Sequence, residues 1–513
     1  MTCTPLKHIV FLPCPPWGHL RPGLKTSLRM VEKFPDLFIS LFTYHSEVPK
    51  AMKYLNAQSA PYSSRVRIVT ATNSKADPPL SGNEIGMITS LEKSFKLWIT
   101  NELQEATITR LDGRPVNKPS LIMEDIFAGC ISLQCKDIHK LPIVGWWLMP
   151  AASLVASQYI GNNDAEIFEK VVQSTAQDED ILSNGGGNPQ GISHRLACLP
   201  GLPACYEWEF ATQDFSLQPF ILLLMGRLKD MMKHIDTAVC CTTCEFEPVA
   251  AAAVSITYNI NPFFIGPSVD LGLLHQPDPD SPVTQFLDRA YTEKGTHSVI
   301  YVAFGTVFFP PPSAMSLLMT ALDEIPKAGF RFIFALSSPD AELDQSWMDA
   351  HVQAGNAIFP EWTNQTAVLE HPAIHYFLTH GGWNSSTEAI VRGVPMLFWP
   401  ITGDQPLNAA QIAGVHDCGF ELLQVRTGPA KFISYQNGTD VEIMGTEDAV
   451  REEMRRILAL TKGPRGEHQR VNVQLLGRVV TQSLGSGGSG DMELERFGRV
   501  LGLQLRVTGQ AQV

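Results

Sequence analysis

The stretch from Trp362 to Gln405 constrains the fold of this chain more than any other part of its sequence. An apolar run, Ile374 to Leu378, leads into the small-residue turn His380-Gly381-Gly382, and a helix is predicted to begin at Asn384 or Ser385. A buried strand that passes through a glycine turn into a helix is typical of parallel α/β sheets. The chain is therefore predicted to have an α/β fold.

The helix start after this turn is a predicted anion site. Two glycines leave its backbone N–H groups open at the positive end of the helix dipole, an arrangement that suits a phosphate or pyrophosphate. Downstream, Met396 to Trp399 is predicted as a second buried strand, and its loop carries Asp404 and Gln405, which are suited to hydrogen bonds with sugar hydroxyls. Because open α/β sheets bind ligands at the carboxyl ends of their strands, both groups are predicted to face one crevice.

This stretch resembles, without gaps, the donor-binding signature of the UDP-dependent family 1 glycosyltransferases, the GT-B class whose plant members glycosylate small molecules. The resemblance implies that Trp362 stacks on the uracil and that Gln365 binds its edge. It also implies that Glu388 binds the ribose hydroxyls, and that Asp404 and Gln405 bind the hydroxyls of the transferred sugar. The other implied UDP-sugar contacts, mainly with the diphosphate, are His380, Gly382, Trp383, Asn384 and Ser385.

These assignments have structural alternatives. Ser385-x-x-Glu388 is also a capping-box pattern, in which Glu388 would close the helix on itself. Trp362 and Trp383 could be core or interface aromatics, and His380 could be a hydrogen-bonded loop histidine. The ordered run of all of them in one stretch favours the nucleotide-sugar interpretation.

A second candidate site follows the first predicted strand, Lys7 to Leu12, in the segment from Trp17 to Pro22. The amphipathic pattern that follows predicts a helix, which places His19 in the loop between strand and helix. The segment from Pro15 to Pro22 is similar to the first motif of the family, in which this His is the general base. Imidazole suits that role because its ordinary pKa lies near neutral pH. The alternative is that His19 is a loop histidine with no catalytic role. The neighbouring Gly18 is predicted to contact the UDP-sugar.

The predicted strand Ser120 to Phe127 contains two adjacent acids, Glu124 and Asp125. A carboxylate at this strand end could accept the second ring N–H of His19, fixing its tautomer and stabilising the imidazolium that forms. The family has an Asp in that position, and Asp125 fits better than Glu124 because an aromatic and then small residues follow it. A helix N-cap is the alternative role for Asp125.

The remaining predicted contacts are with the diphosphate and with the acceptor. The strand that begins at Ser298 ends in Gly305-Thr306, whose backbone N–H groups could meet the diphosphate, as a similar turn does in the family. Residues 162–213 are irregular, and the resemblance implies that loops there line the acceptor pocket. The predicted acceptor contacts are Trp17, Phe127 and Trp146, which could equally be core residues.

Composition excludes several classes of function. A net charge of −13 and no basic block argue against a nucleic-acid surface. No apolar stretch reaches the ~18 residues that span a membrane, and the N-terminal sequence lacks a secretory core, so a cytoplasmic protein with no membrane span is predicted. The ten cysteines are expected to be reduced. Cys241-x-x-Cys244 is followed by no second ligand pair, which disfavours a metal site.

The predicted architecture is GT-B, with two Rossmann-like doubly wound domains facing across a cleft. The predicted boundaries are an acceptor-binding domain at 1–262, a linker at 263–282, a UDP-sugar-binding domain at 283–484, and a tail at 485–513 whose helix returns to the first domain. The Gly/Ser run at 485–490 is predicted to be a flexible joint, with an artificial linker as the alternative.

The predicted reaction is inverting transfer of a hexose from a UDP-sugar to a hydroxyl of a small, largely apolar acceptor. His19 would be the general base oriented by Asp125, and no metal or other cofactor would be required. Gln405 favours glucose as the sugar by family resemblance. The alternatives are another UDP-sugar enzyme on the same fold, such as an epimerase, and a non-catalytic UDP-sugar-binding protein.

Overall fold

The computed structural model describes residues 4–71, 84–162, 195–214, 218–272, 278–338, 341–428 and 430–506. The strands in chain order are β1 (Leu6–Leu12), β2 (Leu37–Phe42), β3 (Val66–Val69), β4 (Arg110–Leu111), β5 (Arg114–Asp125), β6 (Ile143–Trp147), β7 (Leu196–Ala197), β8 (Cys205–Tyr206), β9 (Thr237–Cys240), β10 (Asn261–Phe264), β11 (Val299–Ala303), β12 (Arg331–Ala335), β13 (Ala357–Ile358), β14 (Ile374–Thr379), β15 (Met396–Phe398), β16 (Gly419–Glu421), β17 (Ile433–Gln436) and β18 (Thr439–Glu442).

The α-helices follow the strands in regular alternation over most of the described chain. They are α1 (Trp17–Lys33), α2 (Val48–Asn56), α3 (Ala60–Ser63), α4 (Glu84–Gln104), α5 (Leu133–His139), α6 (Ala151–Asn162), α7 (Gln218–Met232), α8 (Pro248–Tyr258), α9 (Pro282–Lys294), α10 (Met315–Lys327), α11 (Gln345–Gln353), α12 (Gln365–Glu370), α13 (Trp383–Val391), α14 (Gln405–Ala409), α15 (Glu447–Thr461), α16 (Pro464–Leu484) and α17 (Ser489–Val500).

Two large sheets organise the described residues. The first has the order β10-β9-β6-β5-β1-β2-β3 with all neighbours parallel, and the short β4 pairs antiparallel with β5. The second has the order β13-β12-β11-β14-β15-β16, also parallel throughout. In each sheet the chain leaves a central strand, β1 or β11, on one side and returns on the other. The two switch points therefore lie between β1 and β5 and between β11 and β14, where such sheets bind ligands.

Both sheets are covered by helices on both faces. Alternate residues of β1 enter different cores: Val10 packs in one hydrophobic cluster and Ile9 in another. The same holds for Tyr301 and Val302 of β11. This two-sided burial explains why the strands are nearly continuous apolar runs instead of alternating patterns.

The tail returns to the first sheet through helix α17. Phe497 packs edge-on against Phe263 of β10 at 5.2 Å between ring centroids, and Lys33 Nζ lies 2.8 Å from Asp491 Oδ1. Within the predicted flexible joint at 485–490, Gly488 and Gly490 lie directly against neighbouring backbone, whereas Gly487 is exposed. A Cβ on Gly488 would lie 2.0 Å from the Gln482 carbonyl oxygen, so glycine is needed there for the close turn between α16 and α17.

The short segment around β8 lies against the second domain. Glu209 forms a buried ion pair with Arg426 at 2.7 Å, and Thr212 Oγ1 donates to the Pro400 carbonyl at 2.7 Å. The sequence prediction placed acceptor-lining loops in this region, but residues 163–194 lie outside the described part of the chain. Strand β10 extends to Phe264, two residues into the predicted linker.

Candidate functional site

The first switch point carries His19 and Asp125 in direct contact. His19 Nδ1 lies 2.7 Å from Asp125 Oδ2, and the His19 side chain remains 17% exposed while Asp125 is fully buried. The structure corrects one detail of the prediction, because His19 belongs to the first turn of α1 and not to a loop. Strand β1 ends at Leu12, immediately before Pro13, and helix α1 begins at Trp17 with Pro16 as its N-cap, which sets His19 beside the end of β5.

Two backbone groups hold the Asp125 carboxylate in place. Cys14 N donates to Oδ2 at 3.1 Å and Phe127 N donates to Oδ1 at 3.0 Å. Together with His19 these donors fix the orientation of the carboxylate. An ionised carboxylate only accepts hydrogen bonds, so it selects the tautomer of His19 with a proton on Nδ1 and leaves Nε2 as an acceptor. A neutral imidazole in this state can remove a proton from a hydroxyl group.

The three predicted acceptor contacts occupy different environments. Phe127 is half-buried and stacks on the His19 ring, with 5.0 Å between centroids. Trp17 is half-buried and packs against Tyr54 and beneath Lys50. Trp146 is fully buried in the core against Phe11, so its assignment as an acceptor contact is wrong. Its position on β6, a central strand covered on both faces, explains the burial.

The second switch point presents a turn of small residues around His380. Gly305 adopts φ +80°, and a Cβ there would lie 3.1 Å from the His380 ring. A Cβ on Gly382 would lie 2.5 Å from His380 Nε2, so a larger residue there would displace the ring, whereas at Gly305 the positive φ is what favours glycine. Burial lowers the pKa of His380 to about 4, against a hydrogen bond to the Ala303 backbone. The ring is therefore neutral at pH 7.

Helix α13 starts one residue earlier than predicted, with Gly382 as its N-cap and no side chain capping it. The Trp383 backbone N–H already donates to the Asp404 carboxylate, so the predicted anion site would use the N–H groups that follow it, at Asn384 and Ser385. Two side chains of the first turn of α13 already form hydrogen bonds within the protein. Trp383 Nε1 donates to the Cys241 carbonyl at 2.9 Å, and Asn384 Nδ2 donates to the Gly18 carbonyl at 2.6 Å. Asn384 therefore links the second domain to the residue preceding His19.

Two residues of the predicted nucleoside site leave a face open. Trp362 is 64% exposed, which suits a stacking platform and excludes the core alternative. Gln365 is half-buried, and its Nε2 donates to Glu388 Oε2 at 2.8 Å and to Ser385 Oγ at 3.3 Å. The capping-box alternative for Glu388 does not occur, since the N-cap is Gly382 and Glu388 contacts Arg21 and Gln365 instead.

The predicted sugar-binding pair follows β15. Asp404 Oδ2 accepts from Asn408 Nδ2 at 2.6 Å, and burial raises the pKa of Asp404 to about 6. Gln405 is buried, and its Oε1 accepts from the Ile401 and Thr402 N–H groups. The side-chain oxygen of Gln405 therefore stabilises the conformation of the loop that follows β15. Thr306 is half-buried beside Gly305.

Sequence reasoning missed four charged or polar residues around this cleft: Arg21, Lys25, Asp270 and Asn408. Arg21 and Lys25 stand four residues apart on α1, which places them on one helix face. Their partners lie far away in the chain, so no local pattern identifies the contacts. Among the described residues, no group of three or more His, Cys, Asp or Glu side chains is placed to hold a metal ion. No helix in the described ranges is long and apolar enough to cross a membrane.

Comparisons with known proteins agree with this geometry. The sequence profile of the family described as "UDP-glucoronosyl and UDP-glucosyl transferase" matches residues 253–427. UDP-glycosyltransferase eriJ of Hericium erinaceus is 25% identical over 503 residues, covering 91% of this chain and 93% of its own length. The structure of Medicago truncatula UGT71G1 complexed with UDP-glucose has a TM-score of 0.69 at 19% identity, covering 97% of this chain and 98% of that one.

A second solved structure, Phytolacca americana UGT2 complexed with UDP-2fluoro-glucose and pterostilbene, has a TM-score of 0.68 at 18% identity and covers 97% of this chain and 100% of its own. The fold is therefore GT-B, with two Rossmann-like domains facing across a cleft. The chain is thus similar to UDP-glucoronosyl and UDP-glucosyl transferases over residues 253–427, and to a fungal UDP-glycosyltransferase over most of its length.

Proposed function

We propose that this protein transfers glucose from UDP-glucose to a hydroxyl group of a small, largely apolar acceptor, with inversion at the anomeric carbon. The observation that supports this most directly is the contact between Asn384 and Gly18. It brings the start of helix α13, which suits a diphosphate, next to the residue preceding His19. A base and a leaving-group site on opposite sides of one cleft are what a single displacement requires.

His19 Nε2 removes the proton of the acceptor hydroxyl while its oxygen attacks the anomeric carbon from the face opposite the nucleotide. The bond from that carbon to the UDP oxygen breaks, and UDP leaves with the bonding electron pair. An α-linked donor therefore gives a β-glycoside. Asp125 stabilises the imidazolium through the 2.7 Å contact at Nδ1.

The leaving diphosphate would be stabilised by backbone groups rather than by a charged histidine. The pKa of His380, about 4, keeps that ring neutral in this structure. The N–H groups at the start of α13 and the turn at Gly305 and Thr306 would supply the compensating dipoles. The proposal needs no metal, so chelation by EDTA is expected to leave the rate unchanged.

The proposed donor is glucose because the family resemblance connects Gln405 with that sugar, and the relatives include UDP-glucosyltransferases by name. The acceptor is proposed to be apolar because the half-buried Phe127 ring stacks on the His19 ring and would give the space beside the base an apolar wall. Nucleic acid is not proposed as a partner, given the net charge of −13.

The deciding experiment measures UDP release from UDP-glucose with a panel of phenols, terpenoids and sterols, and identifies products by mass and by anomeric proton coupling in NMR. Release that requires an acceptor, adds one hexose and gives a β-glycoside supports the proposal. Conversion of the sugar without an acceptor would favour an epimerase-like enzyme. Tight UDP-glucose binding without any transfer across donors and acceptors would favour a binding protein.

A further inference from the structure

Arg21 of the first domain reaches a carboxylate of the second. Its Nη2 donates to Glu388 Oε1 at 2.9 Å and to Asp270 Oδ2 at 2.8 Å. Glu388 is buried, whereas the Arg21 side chain is 25% exposed. Helix α1 thus carries the proposed base and, two residues later, a cation in contact with the proposed ribose site.

Both oxygens of Glu388 have a protein donor. Arg21 occupies one side of Oε1, and Gln365 Nε2 donates to Oε2 at 2.8 Å. An ionised carboxylate has about four lone-pair sites, so each oxygen can still accept one hydroxyl hydrogen. Two donors on different oxygens also prevent the carboxylate plane from rotating. The contacts therefore orient Glu388 without filling it.

The charges around this contact are balanced. Lys25 pairs with Asp270, and the two cations lower the pKa of Asp270 against the opposing effect of burial. Burial alone would lower the pKa of Arg21, but the negative charges of Glu388 and Asp270 raise it above its ordinary value. Loss of Arg21 would leave Glu388 and Asp270 close together with Lys25 as their shared cation. A buried carboxylate without its partner is strongly unfavourable.

We propose that Arg21 is a positioning residue of the nucleotide site, which holds Glu388 in the orientation that binds the ribose hydroxyls. This proposal rests on the proposed function, because it assumes that the ligand of this site is a uridine nucleotide. Because Arg21 belongs to the first domain and Glu388 to the second, the affinity for the nucleotide then depends on the relative position of the two domains. The donor site is completed across the cleft.

The test is calorimetric binding of UDP and of 2′,3′-dideoxy-UDP, which lacks both hydroxyls, to the wild type, Arg21→Ala and Arg21→Lys. Arg21→Ala is expected to weaken UDP binding about tenfold, the size of one charge-assisted hydrogen bond, and binding of the dideoxy analogue less than about twofold. Arg21→Lys should recover part of the UDP affinity, since an ammonium can still donate to Glu388.

Asp270→Asn is the matched control, because it removes a charge partner of Arg21 and leaves the Arg21–Glu388 contact in place. It is expected to lower the melting temperature and leave the UDP affinity within about twofold. Equal weakening of both nucleotides in Arg21→Ala, unchanged or tighter UDP binding, or an equal loss in Asp270→Asn would each overturn the inference. Failure of the wild type to bind UDP would instead overturn the proposed function.

Discussion

The two switch points of this molecule are built from the chain in opposite ways. At the second, the turn at His380, the start of α13 and the loop with Asp404 all come from one stretch of sequence, Trp362 to Gln405. At the first, His19 and Asp125 lie 106 residues apart and meet because β1 and β5 are neighbours in the sheet. A local site can be recognised as a motif, whereas a dispersed site requires the fold.

The two sites also differ in what they have to do. The second is expected to bind a nucleotide that always has the same shape, and its backbone geometry is fixed by close contacts such as Gly305 and Gly382 against His380. The first is expected to supply one proton acceptor beside a variable substrate. We therefore expect substitutions at the first site to act mainly on turnover and those at the second mainly on donor affinity.

The largest effect is expected for His19→Ala, which removes the proposed base. Turnover should fall by about 10² to 10⁴ while UDP affinity stays within about twofold, since no step of nucleotide binding uses the imidazole. Initial rates and calorimetric titration with UDP measure the two quantities. Turnover like that of the wild type would remove His19 from the role of base.

A smaller loss of turnover is expected for Asp125→Asn. The single amide oxygen can accept from Cys14 or from Phe127 but not from both, because these N–H groups donate to different oxygens of Asp125. The neutral amide also no longer stabilises an imidazolium, so turnover should fall about 10- to 100-fold. The melting temperature, followed by circular dichroism, checks that the fold is retained. A loss of UDP affinity as large as the loss of turnover would contradict the separation of the two sites.

Trp362→Ala is expected to act on the other site. Loss of a stacking platform for uracil should raise the KM for UDP-glucose about tenfold with little change in kcat. Because Trp362 is 64% exposed, the melting temperature should not change. Trp399→Ala in the core provides the contrast, with a lower melting temperature expected from a buried cavity.

The smallest effect concerns pH. Burial raises the pKa of Asp404 to about 6, so the carboxylate is ionised above that pH and protonated below it. The protonated form offers the sugar hydroxyls fewer acceptor sites, so UDP-glucose should bind a few-fold more weakly at pH 5 than at pH 7.5. UDP-glucose is the suitable probe because its diphosphate is esterified at both ends, whereas the terminal phosphate of free UDP itself ionises near pH 6. Asp404→Asn should remove the pH dependence, and its persistence would assign it to another group.

Much of the fold was predictable because buried parallel strands are continuous apolar runs and the helices between them keep their periodicity. The predicted ends of β1 and β14 lie within a residue of the structure. The contact between His19 and Asp125 was also expected. Trp146 was wrongly assigned to the acceptor pocket, because the sequence does not show whether an aromatic residue lies in a core or in a pocket. Its neighbour in the core, Phe11, comes from a strand far away in the chain.

Other features could not be predicted because they depend on two domains meeting. Nothing near Arg21 in the sequence indicates Glu388 as its partner, 367 residues away. The Gly/Ser run at 485–490 has the composition of a flexible joint, yet its glycines allow a close approach of backbones. Composition alone does not separate these two uses of glycine.

The return of α17 to the first sheet makes the second domain an insertion within the first. Arg496 lies 3.9 Å above the Phe263 ring, and Gln504 N donates to Asp36 Oδ1 at 2.9 Å, so the described chain begins and ends on the same domain. A chimera that takes its donor domain from a relative therefore needs two junctions, one after β10 and one before α17. A single crossover would place a foreign last helix on a surface shaped for this one.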